Sequence, residues 1–170
     1  RLNYGFKDRY LLEVNGRYDG SSKFPSNERF GFFPSVSAGW RLSNEPFWNV
    51  PRTAISDVKI RASYGSLGNG NIRPYSFLEL FKIEQSGRVL GGVRPQKTGQ
   101  PGVVPDGLTW ETATTQNIGI DVGLLSNRLL FTGDAYIRNT KNMFTLGMPL
   151  PAVFGTEVPR GNYADMRTKG

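Results

Sequence analysis

The chain has 170 residues and a formal net charge of +7, and it contains no cysteine and no histidine. Their absence excludes disulfides, thiol chemistry, zinc sites of the Cys/His type and histidine-based catalysis. The lysines and arginines are scattered among acidic residues without a basic run, so we expect no nucleic-acid partner.

Alternating apolar and polar residues predict the first two strands, near 8–18 and 31–43. Their apolar faces begin and end with aromatic residues, Tyr10 and Tyr18 in one strand and Phe32 and Trp40 in the other. At ~3.3 Å per residue, each aromatic pair spans roughly 26 Å along its strand, or about 20 Å of height at a ~40° tilt. This height is close to the apolar band of an outer-membrane barrel, which is bordered by aromatic girdles.

Pro34 falls inside the second predicted strand. Proline has no backbone N–H and cannot donate to a strand ladder. A β-bulge near the rim of the sheet or a strand that begins only after Pro34 would accommodate it, and we favour the bulge.

Three further strands are predicted near 57–66, 115–124 and 128–139, again from alternation. Their apolar faces comprise Val58, Ile60, Ala62 and Tyr64, then Ile118, Ile120, Val122 and Leu124, then Leu129, Phe131, Gly133, Ala135 and Ile137. The segment 74–84 alternates only in part, and either a further strand or an ordered piece of a loop fits it.

The connectors differ in length. Long connectors are predicted at 19–30, at 66–114 and from Lys141 onward, a shorter one at 44–56, and a tight turn at Leu125-Ser126-Asn127. Long and short connectors on opposite ends of a sheet are typical of outer-membrane barrels, with extracellular loops and periplasmic turns. A soluble sandwich has shorter strands and more regular turns. We keep a soluble all-β carbohydrate-binding module as the alternative.

The polar faces of the strands provide the candidate functional residues. We expect six charged side chains to line the lumen of a barrel: Glu13, Arg17, Arg61, Asp121, Asp134 and Arg138. Asp121 and Asp134 on neighbouring strands would also suit a glycosidase pair, but polar lumen faces produce such pairs by chance. We therefore predict no enzyme activity and no catalytic, metal or cofactor site.

Three tryptophans are candidate platforms for stacking sugars. Trp40 fits an aromatic girdle better than a sugar site. Trp48 lies in the shorter connector, and Trp110 lies beside the longest one and stays open between the two roles.

Ten sequence blocks resemble the SusC/RagA family of TonB-dependent outer-membrane transporters. They are DRYLL (8–12), RYDGSSKF (17–24), GFFPSVSAGWRLS (31–43), KIRASYG (59–65), GN (68–69), LTWET (108–112), QNIGID (116–121), NRL (127–129), NTKNM (139–143) and MRTKG (166–170). These blocks run through nearly the whole chain in the order found in the family.

The resemblance implies a 22-stranded antiparallel transmembrane β-barrel in the bacterial outer membrane, with an N-terminal plug. Such transporters are energised by the TonB complex, are capped by a SusD-like surface lipoprotein, and import oligosaccharides or peptides. Residues 1–170 resemble part of the barrel domain, without the plug or the remaining strands. An open sheet edge in lipid would leave backbone groups unsatisfied, so we expect this segment to belong to a larger barrel.

Overall fold

The computed structural model describes residues 1–105, 107–155 and 157–170. Its strands are β1 (Leu2–Phe6), β2 (Tyr10–Gly20), β3 (Phe30–Arg41), β4 (Ile55–Asn69), β5 (Ile83–Gln85), β6 (Gln96–Thr98), β7 (Glu111–Leu124), β8 (Leu129–Leu146) and β9 (Arg160–Lys169). Two short 3₁₀ helices span Leu42–Asn44 and Ala152–Phe154. No helix in the described part of the chain is long and apolar enough to cross a membrane.

Seven strands form one antiparallel sheet in the order β1-β2-β3-β4-β7-β8-β9, and β5 pairs with β6 in a separate hairpin. All five predicted strands are confirmed, and β4, β7 and β8 extend beyond their predicted ends. The all-β antiparallel fold class is therefore confirmed. Most of the segment 74–84 is turn and irregular backbone, and β5 begins only at Ile83.

Two strands of the seven-stranded sheet, β1 and β9, were not predicted from the alternation of apolar and polar residues. β1 is short, and β9 carries no apolar stripe on either face. β9 pairs with β8, which runs on to Leu146. The predicted connector from Lys141 onward is therefore wrong in extent, because the connecting residues are 147–159 and the chain then returns to the sheet.

The predicted bulge at Pro34 is wrong, and so is a strand that begins after it, because β3 already starts at Phe30. Pro34 lies opposite Gly16, and the β2–β3 register continues through this pair without a shift. Pairing of β3 with β4 begins only at Ser35, which lies opposite Gly65. The proline thus stands where the β3–β4 ladder ends, so the ladder does not need the missing N–H.

The two faces of the sheet differ in both chemistry and exposure. The register places Val14 beside Val36 and Val36 beside Tyr64 on the apolar face. These apolar side chains are exposed, for example Tyr18 at 69% and Ile118 at 60%. Soluble proteins cover such a surface with a second layer, whereas seven of the nine described strands form a single sheet and the other two form a separate hairpin. This arrangement does not fit the sandwich core of the alternative.

The connectors fall on two ends of the sheet. The long end, named for its 70–110 connector, also carries 21–29 and 147–159. The short end, named for its turns at 7–9 and 125–128, also carries the 42–54 connector. Residues 125–127 all have φ between 52° and 63°, and the Arg128 N–H donates to the Leu125 carbonyl at 3.2 Å. This closure confirms the predicted tight turn.

Candidate functional site: the charged face and the two ends of the sheet

Arg61 is the centre of an ion-pair network on the polar face. Its Nε and Nη2 atoms donate to the two carboxylate oxygens of Asp121 at 2.7 and 3.0 Å. Nη2 also donates to Asp134 Oδ2 at 3.3 Å, and Asn117 Nδ2 donates to Asp134 Oδ1 at 3.2 Å. A planar guanidinium suits this arrangement, because its N–H groups bind a carboxylate in two places at once. The network joins β4, β7 and β8.

Gly119 makes this network possible. It lies opposite Arg61 on one side and opposite Asp134 on the other. A Cβ at this position would come within 2.5 Å of Asp134 Oδ1 and 2.9 Å of Arg61 Nη2. The side chains of Arg61 and Asp134 therefore occupy the space that a Cβ at position 119 would take, and they would have to shift if it were present. Sequence reasoning missed this residue, although the alternation had placed a glycine among the polar positions.

The other predicted lumen residues share the polar face but have separate partners. Arg1 donates to Glu13 at 2.9 Å, and Arg17 donates to Asp19 at 2.7 Å. Arg138 Nε donates to Thr115 Oγ1 at 3.2 Å. The structure thus brings three of the six predicted residues together, and lumen lining stays a prediction for all six.

The network does not have the arrangement of a glycosidase pair. That chemistry needs one carboxyl group that protonates a leaving group and a second that attacks or activates water. Here Asp121 and Asp134 both accept hydrogen bonds from the same guanidinium. Among the described residues, no group of three or more acidic side chains is placed to hold a metal ion.

An apolar cluster joins the connectors at the long end. Phe24 is 0% exposed and Leu108 is 1% exposed, and both pack with Ile72. The Trp110 ring lies tilted against Phe24, with ring centroids 4.7 Å apart, and packs in a T-shaped arrangement with Phe33, with centroids 5.6 Å apart. Trp110 is therefore packed between other aromatic rings and is not a free platform for a sugar.

A carboxylate holds the short end together. Glu45, in the 42–54 connector, has a side chain that is only 7% exposed. It accepts a hydrogen bond from Trp40 Nε1 at 2.9 Å, and Trp40 stacks on Tyr10. Hydrogen bonds from Trp40 and then Tyr10, aided by the charge of Arg9, hold the pKa of Glu45 below its ordinary value in spite of burial. The 42–54 connector is thus fixed to Tyr10 and Trp40, the aromatic pair of β2 and β3 at the short end of the sheet.

Comparison with known proteins gives consistent matches over the whole chain. The family model described as "TonB dependent receptor-like, beta-barrel" matches residues 1–170. TonB-dependent receptor P26 of Formosa agariphila is 34% identical over 172 residues, which cover 100% of this chain and 17% of that protein. TonB-dependent receptor SusC of Bacteroides thetaiotaomicron is 32% identical over 161 residues, which cover 93% of this chain and 16% of that protein.

Solved structures show the same relationship. The RagAB peptide transporter matches with a TM-score of 0.82 and 27% identity, covering 99% of this chain and 18% of that one. The RagAB peptide importer in its "open-open" state matches with a TM-score of 0.80 and 27% identity, covering 97% of this chain and 17% of that one. Its "closed-closed" state matches with a TM-score of 0.82 and 27% identity, covering 98% of this chain and 18% of that one. This chain spans less than a fifth of the length of each relative. The predicted resemblance is confirmed, and the chain belongs to the TonB-dependent receptor-like β-barrel family, with SusC and RagA among its relatives.

Proposed function

We propose that this chain forms part of the wall of an outer-membrane importer. The observation that carries the proposal is the sheet itself, which exposes aromatic and aliphatic side chains on one face and holds charged side chains on the other. In a lipid-embedded barrel the exposed apolar face contacts lipid, and the polar face lines the interior. The matched relatives are receptors and transporters, which supports import rather than catalysis.

The six charged residues on the polar face are assigned to the interior. Glu13, Arg17, Arg61, Asp121, Asp134 and Arg138 all lie on the face opposite Val14, Val36 and Ile120. Their role in this proposal is to line the pathway with hydrogen-bonded charges. Residues 1–170 are then one part of a barrel domain whose plug and remaining strands are supplied by other parts of the protein.

The long end of the sheet is assigned to the outside of the cell. Outer-membrane barrels carry long extracellular loops and short periplasmic turns, and in this chain the 70–110 connector lies at one end while the turns at 7–9 and 125–128 lie at the other. Incoming substrate and a SusD-like surface lipoprotein would meet the connectors at this end. The TonB complex would act on parts of the protein outside this segment.

Oligosaccharides or peptides are the substrate classes that we propose. SusC and the RagAB peptide transporter are both relatives, and the name of the second one states a peptide cargo. The match to the open and closed RagAB states is nearly equal, at 0.80 and 0.82. This supports a wall that keeps its shape while other parts of such an importer move.

Lipid-attached quenchers test the assignment of the two faces. A fluorophore is attached to a cysteine placed at Val14 or Val36 of the full-length protein, reconstituted in vesicles of brominated phospholipid. The matched control sites are their neighbours Asn15 and Ser37, on the opposite face of the same strands. We expect strong quenching at Val14 and Val36 and weak quenching at the controls, because only the apolar face touches lipid. Equal quenching on both faces would contradict the proposal.

A further inference from the structure

Three cations lie on the apolar face of the sheet, near the long end of β8 and β9. Lys141 continues the alternation of Ile137 and Asn139 along β8, which places it on the apolar face. In β9, Lys169 lies opposite Ile137. Arg167 lies opposite Asn139, so both β9 cations share that face. All three cations are exposed. We call Lys141, Arg167 and Lys169 the basic patch.

The register shows where the basic patch stands relative to the apolar band. One row of paired residues runs across the sheet from Val14 in β2 to Ile137 in β8 and Lys169 in β9. In β2 the apolar face continues four positions beyond this row, to Tyr18, whereas in β8 the next residue on this face is Asn139. The band is therefore displaced between β2 and β8 by roughly 13 Å along the strands, at ~3.3 Å per residue.

The tilt of barrel strands accounts for this displacement. Strands that lie ~4.8 Å apart and tilt by ~35–45° shift the level of the band by roughly 13–19 Å along the strand over the four steps from β2 to β8. The basic patch therefore stands at and just above the level of Tyr18, where the apolar band ends. In the proposed orientation this is the headgroup level of the outer leaflet.

The basic patch carries charge that its neighbours leave unneutralised. In the part of the chain that the structure describes, none of its three cations forms an ion pair with a carboxylate. The one acidic residue of β9, Asp165, accepts a hydrogen bond from the Asn142 N–H at 3.0 Å. Arg61 on the polar face, by contrast, holds a carboxylate at 2.7 Å. The patch is thus a site of net positive charge beside an apolar surface.

The spacing of the basic patch suits one phosphate group. On a sheet, Cβ atoms of directly opposite residues are ~4.5–5.5 Å apart and those of diagonal neighbours ~7–8 Å apart, so three long cationic side chains reach a common point. Thr112 lies opposite Lys141 and adds a hydroxyl group. Ile118, further down the same face, is 60% exposed. A molecule with a phosphate at one end and acyl chains at the other fits both regions.

We propose that the basic patch binds the phosphate of an anionic lipid headgroup in the outer leaflet. The phosphate oxygens accept hydrogen bonds from the ammonium and guanidinium groups, and the acyl chains lie against the apolar face below. A soluble phosphate would leave the adjoining apolar side chains uncovered, which is why a lipid is the better occupant. The inference rests on the proposed function and deepens it by naming the class of lipid that this part of the wall selects.

Brominated lipids measure the local enrichment of such a lipid. A fluorophore is attached to Ile118→Cys of the full-length protein, in phosphatidylcholine vesicles that contain a rising fraction of brominated phosphatidic acid with the same acyl chains. Leu12→Cys, in the same row of paired residues but on β2, is the distant reference site. Each cation near an anionic lipid contributes about fivefold in affinity, so the preference for phosphatidic acid at Ile118 should exceed that at Leu12 on the order of a hundredfold.

Removing the charges should remove the preference. Each of the variants Lys141→Gln, Arg167→Gln and Lys169→Gln should lower it about fivefold, and the triple variant should reach the reference value. The matched control removes three exposed cations of the long connector instead, in the triple variant of Lys82→Gln, Arg88→Gln and Arg94→Gln, and should keep the preference. Added salt should weaken the preference, because exposed charges are screened. Inorganic phosphate at equal ionic strength should not compete.

Three results would overturn the proposal. They are a preference that survives in the basic-patch triple variant, an equal loss in the control variant, and competition by inorganic phosphate, which would indicate a site for soluble phosphate. If the basic-patch triple variant keeps the lipid preference but no longer copurifies with a surface lipoprotein, the patch belongs to a protein partner and the lipid proposal is wrong.

The two proposals fail in different ways. Brominated phosphatidylcholine should quench the fluorophore at Ile118→Cys in wild type and in every variant. If it does not quench in wild type, the apolar face does not touch lipid and the proposed function is wrong. If it does quench and phosphatidic acid is not enriched, only the inference on the basic patch is wrong. The single variants decide the matter if the triple variant fails to insert.

Discussion

At the scale of single residues, a missing side chain determines the charged network. Arg61, Asp121 and Asp134 could be named from the sequence, because each stands at a polar position of an alternating strand. Their contact could not be predicted, since the partner strands depend on the register across the long 70–110 connector. The role of Gly119 follows only from that register.

Gly119→Ala should weaken the network. The new methyl group would collide with Asp134 and with the Arg61 guanidinium, so the Arg61–Asp134 contact would be lost. Because both side chains are about one-third exposed, we expect a loss of about 1 kcal/mol in the free energy of unfolding. Urea unfolding of the full-length barrel in vesicles measures this loss in the free energy of unfolding.

Gly133→Ala is the matched control for that measurement. Gly133 also lies in a central strand, but an added Cβ there would meet its nearest atom, in Phe131, at 3.4 Å. This substitution should be tolerated. If the two alanine variants unfold alike, Gly119 has no special relation to Arg61.

Glu45 should make the short end sensitive to acid. Its pKa is lowered in the folded protein, chiefly by the hydrogen bond from Trp40, so the unfolded state binds the proton more readily. The stabilisation is therefore present above the ordinary glutamate pKa of about 4.3 and is lost as the pH falls through the lower folded value.

Comparison with Glu45→Gln measures this contribution. Wild type should be the more stable protein at about pH 6, and the difference should shrink as the pH falls below the ordinary glutamate pKa of about 4.3. Glu79→Gln, at an exposed position of the long connector, is the control for the loss of one carboxylate. A difference between wild type and Glu45→Gln that is the same at every pH would refute the role of the charge.

At the scale of strands, the five long alternating segments were predictable because one face of each is apolar. β9 was not, because its residues form no apolar stripe and it is a strand through its pairing with β8. Pro34 misled the prediction for a related reason. Whether a strand position needs its N–H depends on where the neighbouring strand ends, and the sequence of one strand does not contain that information.

Arginine substitutions should distinguish the two faces of β2 and β3. Val14→Arg or Val36→Arg should destabilise the full-length barrel by ~2–4 kcal/mol near the middle of the membrane. Asn15→Arg and Ser37→Arg, one position away on the opposite face, should cost much less. Unfolding in vesicles of defined lipid provides the comparison. Asp121 also lies on the polar face, but substituting it would break its ion pair with Arg61, so it is not a suitable control.

At the scale of the whole molecule, the two ends of the sheet should lie on opposite sides of the membrane. Cysteines at Gly87 and at Ser126 report on them, since an added Cβ at Gly87 meets no atom within 4 Å and Ser126 stands in the exposed tight turn. On intact cells a membrane-impermeant thiol reagent should label Gly87→Cys only. Labelling of Ser126→Cys alone would show that the orientation is the reverse of the one expected.

The ion pairs on the polar face have a consequence for the electrostatic potential. Arg17, Arg41 and Arg61 each hold a carboxylate within 3 Å, so the charge of these three side chains is cancelled over a short distance. The field that reaches a solute a Debye length away is correspondingly small. A pathway must bind its cargo weakly enough to release it. In the proposed importer, a charged solute passing these three pairs would meet neither a deep trap nor a high barrier, and its passage there would depend on shape and hydrogen bonding more than on its charge.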